Sequence, residues 1–424
     1  MSQDDQLRRR ADAEALLRHP SWTSDEIDHA VALHDLLESP DLPPDPVLVS
    51  LRSRLGADLR RRSERSSSVM DLIRAEIFSL GWLDSPDPFR HRLVVLHYQG
   101  LTSFMNFQTG ATGHLDRAIS VLAELDRAVQ EGGDAARALL GDRYDSALLS
   151  LAAACYVRYH RQRELLLLDQ PPDSERRAIE ADLDLAVDAC ERVLRIPGSS
   201  SRPAAMATLG SCYALGYELH DRYRNPKTID SAIDLLREAL RLTGTGSSPA
   251  EVTNRTGIMD RLASALLIRD RLQDVDEAIE LLTAAQAETA YVAGYRAGGG
   301  AASMATALVQ RWMHTHDEAD EERARAAYVS AFASNLDVHL PTAIDVATQR
   351  GGWAWCEGWW GEAGEAYGQA VDALHLAVRR QANREERELI LRLAPGVAAR
   401  AAFGALILRD GFRRGGRTAR AGRR

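Results

Sequence analysis

Apolar positions recur along this chain in sets of three on one helical face. The stretch Ile229, Asp230, Ser231, Ala232, Ile233, Leu236, Ala239 is matched 46 residues on by Val275, Asp276, Glu277, Ala278, Ile279, Leu282, Ala285. Each places an alanine, a larger apolar residue four positions on and a small one three further on, a spacing that shares one side of an α-helix. Small side chains at the outer positions let a neighbouring helix approach, and the larger one fills the space between.

The register extends in both directions. Leu183, Asp184, Ala186, Val187, Cys190 and Val193 lie upstream, as do Leu115, Asp116, Ala118, Ile119, Leu122 and Leu125. Ile27, Asp28, Ala30 and Val31 open another copy, and Met70, Asp71, Ile73, Ile77 and Leu80 give a degenerate one. Downstream, Ala324, Tyr328 and Ala331, then Ala363, Tyr367 and Ala370, keep the positions. The anchors fall at 30, 73, 118, 186, 232, 278, 324 and 363, with gaps of 43, 45, 68, 46, 46, 46 and 39. A recurrence of this length predicts stacked helical hairpins, helix A followed by helix B. The one long gap predicts an insertion of about one helix between 125 and 183.

Between the anchors, turn residues mark the remaining elements. A polar helix is expected over 2–18 before Pro20, with Ser24 as the cap of the next helix. Further helices are expected at about 47–62, 89–107, 134–168 (helical throughout), 204–223 and 258–270. Others follow at 301–313, from Pro341 onward, at 374–380 and at 385–408. Gly298-Gly299-Gly300 reads as an inter-repeat turn. No segment alternates convincingly with a two-residue period, so the expected class is all-α, an α-solenoid of helix hairpins. The expected organisation is a degenerate helical region over 1–110, an array over 111–340, a capping or linking segment over 341–408 and a tail over 409–424.

Composition adds little chemistry. A hydrophobic fraction of 45% supports packed hairpins, and the net charge of −9 suits a soluble chain. Lys227 is the single lysine, so the basic residues are nearly all arginine. Cys155, Cys190, Cys212 and Cys356 are far apart and read as reduced packing residues. The start lacks a basic-then-apolar leader and no apolar run reaches membrane length, which points to a cytoplasmic protein.

The pairing Leu209-Gly210-x-x-Tyr213 with Ala232, Leu236 and Ala239 resembles the tetratricopeptide repeat. The longer period and the phrase [Leu/Ile/Val]-Asp-x-Ala-[Ile/Val] resemble the repeats found N-terminal to caspase-like CHAT peptidase domains. The stretch Trp359-Trp360-Gly-Glu-Ala-Gly-Glu-Ala-Tyr-Gly-Gln-Ala-Val371, with Arg384-Glu-Glu-Arg387 and the alanine-rich 397–408, is similar to the segment joining those repeats to the peptidase. The resemblance covers roughly 110–408. It implies a curved scaffold whose A helices line a groove for a peptide or partner protein, with a CHAT-type peptidase among the possible partners. The catalytic His–Cys dyad of that peptidase has no counterpart here: His114 sits in Thr-Gly-His-Leu before a repeat helix, and Cys356 sits among tryptophans.

Motifs for nucleotide or metal chemistry are missing. Lys227 follows Pro226 and not a phosphate loop, and HExxH, GxSxG and EF-hand spacings are absent. His91 and His97 flank an apolar stretch without a third ligand at metal spacing. No catalytic, cofactor-binding or metal-binding residue is therefore named, and no cofactor is expected. Trp353, Trp355, Trp359 and Trp360 read as a bulky plug closing the end of the array, with an aromatic contact patch as the alternative. Residues 409–424 carry seven arginines and one aspartate, leaving −15 on residues 1–408. They read as a frayed tail, with an electrostatic tail for nucleic acid as the alternative.

The expected function is a non-enzymatic protein–protein interaction scaffold. The alternatives are a sensor or regulatory part of a split CHAT-type peptidase system, and nucleic-acid binding through the arginine tail.

Overall fold

The computed structural model describes residues 3–38, 45–66, 71, 74, 75, 78, 87–108, 114–168, 173–220, 223–246, 248–289, 298–337, 340–380 and 397–402. Among the described residues the chain is all-α, without strands. The helices are α1 (Gln3–Leu17), α2 (Ser24–Leu37), α3 (Pro46–Ser66), α4 (Pro88–Gln108), α5 (His114–Leu140), α6 (Asp142–Leu168), α7 (Asp173–Arg195) and α8 (Arg202–Leu219). They continue as α9 (Pro226–Leu242), α10 (Pro249–Arg269), α11 (Leu272–Thr289), α12 (Gly298–Thr315), α13 (Glu318–Leu336), α14 (Leu340–Cys356) and α15 (Trp360–Arg380). Successive helices pack on one another as antiparallel hairpins, as an α-solenoid requires. Contacts group the chain into two compact units, Met1–Arg158 with Asp184–Arg202, and Tyr159–Leu183 with Pro203–Arg424. No helix among the described residues is long and apolar enough to cross a membrane.

The anchor alanines explain the packing. Ala30, Ala118, Ala186, Ala232, Ala278, Ala324 and Ala363 all have 0% of their surface exposed. The larger residues four positions on, Leu122, Cys190, Leu236, Leu282, Tyr328 and Tyr367, are buried as well. Three hairpins meet this face with a glycine on helix A. A Cβ on Gly100 would lie 2.5 Å from Leu122, one on Gly210 2.8 Å from Leu236 and 2.9 Å from the Ala232 carbonyl, and one on Gly351 2.9 Å from Tyr367. The close approach is therefore built from both sides of the hairpin.

Near the second anchor, the described residue in a packing position is Ala75. Ala75 is fully buried, and Asp71 stands four positions before it, as Asp274 stands before Ala278 and Asp320 before Ala324. Asp71 suits either register by residue type. Arg62 donates to both Asp71 oxygens at 2.7 and 2.8 Å and to Asp28 of the preceding hairpin at 2.7 Å. Arg269 repeats the fork on Asp274 (2.8 and 2.7 Å) and Asp230 (2.7 Å). Arg311 does so on Asp320, with Asp276 at 3.5 Å. The aspartate of the repeated phrase is thus one tine of a fork that ties consecutive hairpins. A lysine, a point charge without a planar pair of N–H groups, cannot make it.

Several boundaries differ from expectation. Thr23, not Ser24, caps α2, because Thr23-x-x-Glu26 closes a reciprocal capping box. Helix α3 runs on to Ser66, four residues past the expected end at 62. Helix α8 ends at Leu219 and not at residue 223; Tyr223 folds back against Gly216, and Asn225 caps α9. Helix α10 begins at Pro249, nine residues early, because Ser248 and Glu251 form a second capping box. Gly298–Gly300 are the first turn of α12 rather than a turn between repeats.

The long gap holds a short extra helical segment, 134–140, set off by Gly133 and Gly141. Helix α5 kinks at Gly133 (φ 60°, ψ −143°), continues to Leu140, breaks at Gly141 (φ 54°) and is followed by the 27-residue α6. The expected continuous helix over 134–168 fails at Gly141, since positive φ suits glycine and ends the helix. Met70, Ile73, Ile77, Leu80, residues 385–396 and 403–408 and the tail 409–424 lie outside the described residues.

Candidate binding surfaces

In the second unit, consecutive A helices touch along a polar seam: α10 packs on α12, and α12 on α14. Ser303 of α12 hydrogen-bonds Asp260 of α10. Gln310 Nε2 donates to the Leu267 carbonyl at 3.3 Å, and Thr306 Oγ1 donates to Gln349 Oε1 at 3.3 Å. Two acceptors on this seam are buried without a partner, Asp260 Oδ1 and Gln310 Oε1. Burial raises the Asp260 pKa above the usual carboxylate value, with the Ser303 bond opposing the rise. Buried acceptors are nearly always paired in folded proteins, because an orphan forfeits its hydration.

The tryptophans divide into two groups. Trp353 and Trp359 lie with Trp312 and Tyr328 between consecutive hairpins, at centroid separations of 5.1–6.1 Å. Arg325 stacks over Trp359 at 3.9 Å while bonding Glu362 and Glu321. Trp355 meets Trp360 edge to face at 4.9 Å, and Trp360 is 40% exposed. The expected plug at the end of the array is therefore corrected in its parts. Trp353 and Trp359 fill space between hairpins, and the last face is covered by 397–402, through Val397 on the α14–α15 core and Ala401 beside Tyr367.

In the first unit, the larger slot after Ala30 holds His34, which is fully buried. Arg52 Nε donates to His34 Nε2 at 3.0 Å, and the Arg52 guanidinium pairs with Glu38. His91 Nε2 lies 3.7 Å from Glu38, and Tyr98 donates to Asp35 at 2.5 Å. His97 stands apart from this cluster; burial pushes its pKa down to about 4, so it packs as a neutral ring. His91 and His97 are thus both interior residues. Among the described residues no three His, Cys, Asp or Glu side chains are grouped to hold a metal ion.

A cleft of about 600 Å³ opens in the same unit, lined by Gln130, Arg137, Tyr144, Leu148, Asp188, Arg192, Arg195 and Ile196. Behind it Asp126 accepts from Arg192 (2.5 and 2.8 Å), Tyr144 (2.6 Å) and Gln130 (2.8 Å). These donors hold its pKa below the usual value against the effect of burial.

Of the cysteines, none forms a disulfide; Cys155, Cys190 and Cys212 are buried and Cys356 is exposed at the end of α14. His114 opens α5, and Lys227 lies in the first turn of α9, its N–H bonded to the Asn225 cap. No protein-family model matches the chain, and no curated protein matches it significantly.

Proposed function

We propose that the chain is a non-catalytic helical-repeat scaffold that holds an extended segment of a partner protein along the seam of α10, α12 and α14. The carrying observation is the pair of buried open acceptors, Asp260 Oδ1 and Gln310 Oε1. An extended peptide presents backbone N–H groups at regular intervals, and a basic side chain would ionise and pair with Asp260. The rigid neighbours support this reading: the fully buried Ala278 and Ala324 and the forks of Arg269 and Arg311 fix the helices that carry the seam. In this reading the array is of the tetratricopeptide type, resembling the repeats beside CHAT peptidases, and a peptidase of that class is one candidate partner.

The test is selection of peptides from a random library on the wild-type protein, followed by affinity measurement with Asp260→Ala, Gln310→Ala and the double variant. Loss of at least about tenfold in the double variant is expected, since each lost bond to a charged or buried group is worth about 1–3 kcal/mol. Selected peptides that bind the double variant as tightly as wild type would remove the seam from the account.

A further inference from the structure

The break in repeat spacing and the cleft of the first unit are the same place. Residues 134–140 stand between Gly133 and Gly141, both at positive φ, and carry Arg137 into the cleft lining. A Cβ at either glycine would meet nothing within 4 Å. These glycines therefore serve the backbone path, not a tight contact. The interruption of an otherwise regular array creates the wall of a cavity.

The lining has an excess of positive charge, three guanidinium groups against the Asp188 carboxylate. Arg192 is committed to Asp126, whose oxygens also take Tyr144 and Gln130. Arg137 and Arg195 are not committed in this way. Their ion-pair partners, Asp134 at 3.8 Å and Glu191 at 2.9 Å, lie on their own helices and in solvent. Such exposed pairs contribute little and exchange readily for a better anion. Leu148 and Ile196 supply an apolar wall. The volume suits a small organic ligand, for which sites of about 300–1,000 Å³ are usual.

We propose that this cleft binds a small phosphate monoester, its phosphate held by Arg137 and Arg195 and its organic part laid on Leu148 and Ile196. Guanidinium groups from two helices match the oxygens of a phosphate, and the apolar wall separates an ester from free phosphate. This proposal is independent of the peptide seam, which lies in the other unit.

Calorimetric titration of the full chain with inorganic phosphate, adenosine monophosphate, glucose 6-phosphate and a phosphoserine peptide tests it. At least one of the two small esters should bind more tightly than inorganic phosphate. Arg137→Gln with Arg195→Gln should weaken that binding at least about tenfold, each lost charged bond being worth about 1.5–3 kcal/mol. Arg241→Gln, an exposed arginine paired with Glu238 on α9, is the control and should leave it unchanged. Circular dichroism verifies that the double variant keeps its helices. Absence of ester binding at millimolar concentration, or equal binding by the double variant, overturns the proposal. Inorganic phosphate binding as tightly as the esters overturns the assignment to an ester, and preference for the phosphopeptide overturns the assignment to a small molecule.

Discussion

Asp126 and Asp260 each hold a carboxylate within a helical hairpin, yet their surroundings are opposite. Asp126, in the first unit, receives donors from Arg192, Tyr144 and Gln130, and its pKa is held down. Asp260, in the second, has Ser303 and an unfilled oxygen, and its pKa is driven up. The first carboxylate contributes to the folded state; the second costs stability at neutral pH. A residue retained at a cost is a better marker of a surface awaiting a partner than one already satisfied. In the proposed reading, the difference separates what holds the array together from where a partner would dock.

The largest expected effect breaks the satisfied side. Asp126→Asn leaves Arg192 only the exposed Asp188, at 3.4 Å, as counter-charge and should cost about 2–3 kcal/mol at pH 7, measured by urea unfolding. A carboxylate with a lowered folded pKa stabilises above its unfolded pKa, about 3.9, and loses that contribution as pH falls through the folded value. The cost of the substitution should therefore shrink below about pH 4.

A second variant asks whether the region around Asp260 is merely loose. Gly210→Ala puts a methyl group 2.8 Å from Leu236 and 2.9 Å from the Ala232 carbonyl in the same unit. It should cost about 1–3 kcal/mol, the usual penalty for overpacking. A neutral result would mean that the hairpins there give way, and the open acceptors would lose their meaning.

The smallest effect has the opposite sign. Asp260→Asn should raise stability at pH 7 by about 0.5–1 kcal/mol, as substitutions that relieve a functional site do. A raised folded pKa means the penalty is absent below the unfolded pKa and grows as pH rises through the folded one. The gain should therefore vanish below about pH 4, and a gain that persists there would have another origin.

Much of the architecture was legible in the amino-acid sequence because it rests on residue size at fixed spacing. Ala232, Ala278 and Ala324 each reported a close helix contact, and each is fully buried. Register is ambiguous where one letter fits two positions: Asp71 matches the repeated phrase and also pairs as the residue four before Ala75. Gly141 was a visible signal of the break inside 134–168 and was read through as helix. The arginine forks were hidden because Arg269 and Asp230 lie 39 residues apart across loops of varying length. No pattern could single out Asp260 or Gln310. Their property is a missing partner, which exists only once α10, α12 and α14 are packed together.

The most direct test of the account is photo-crosslinking of a library-selected peptide to two variants of the full chain. One carries the photoreactive residue at Thr306, on α12 in the seam. The other carries it at Ser330, exposed on α13. The account predicts crosslinks from position 306 and none from position 330. Crosslinking from 330 with none from 306 would place the partner on the B helices and contradict it.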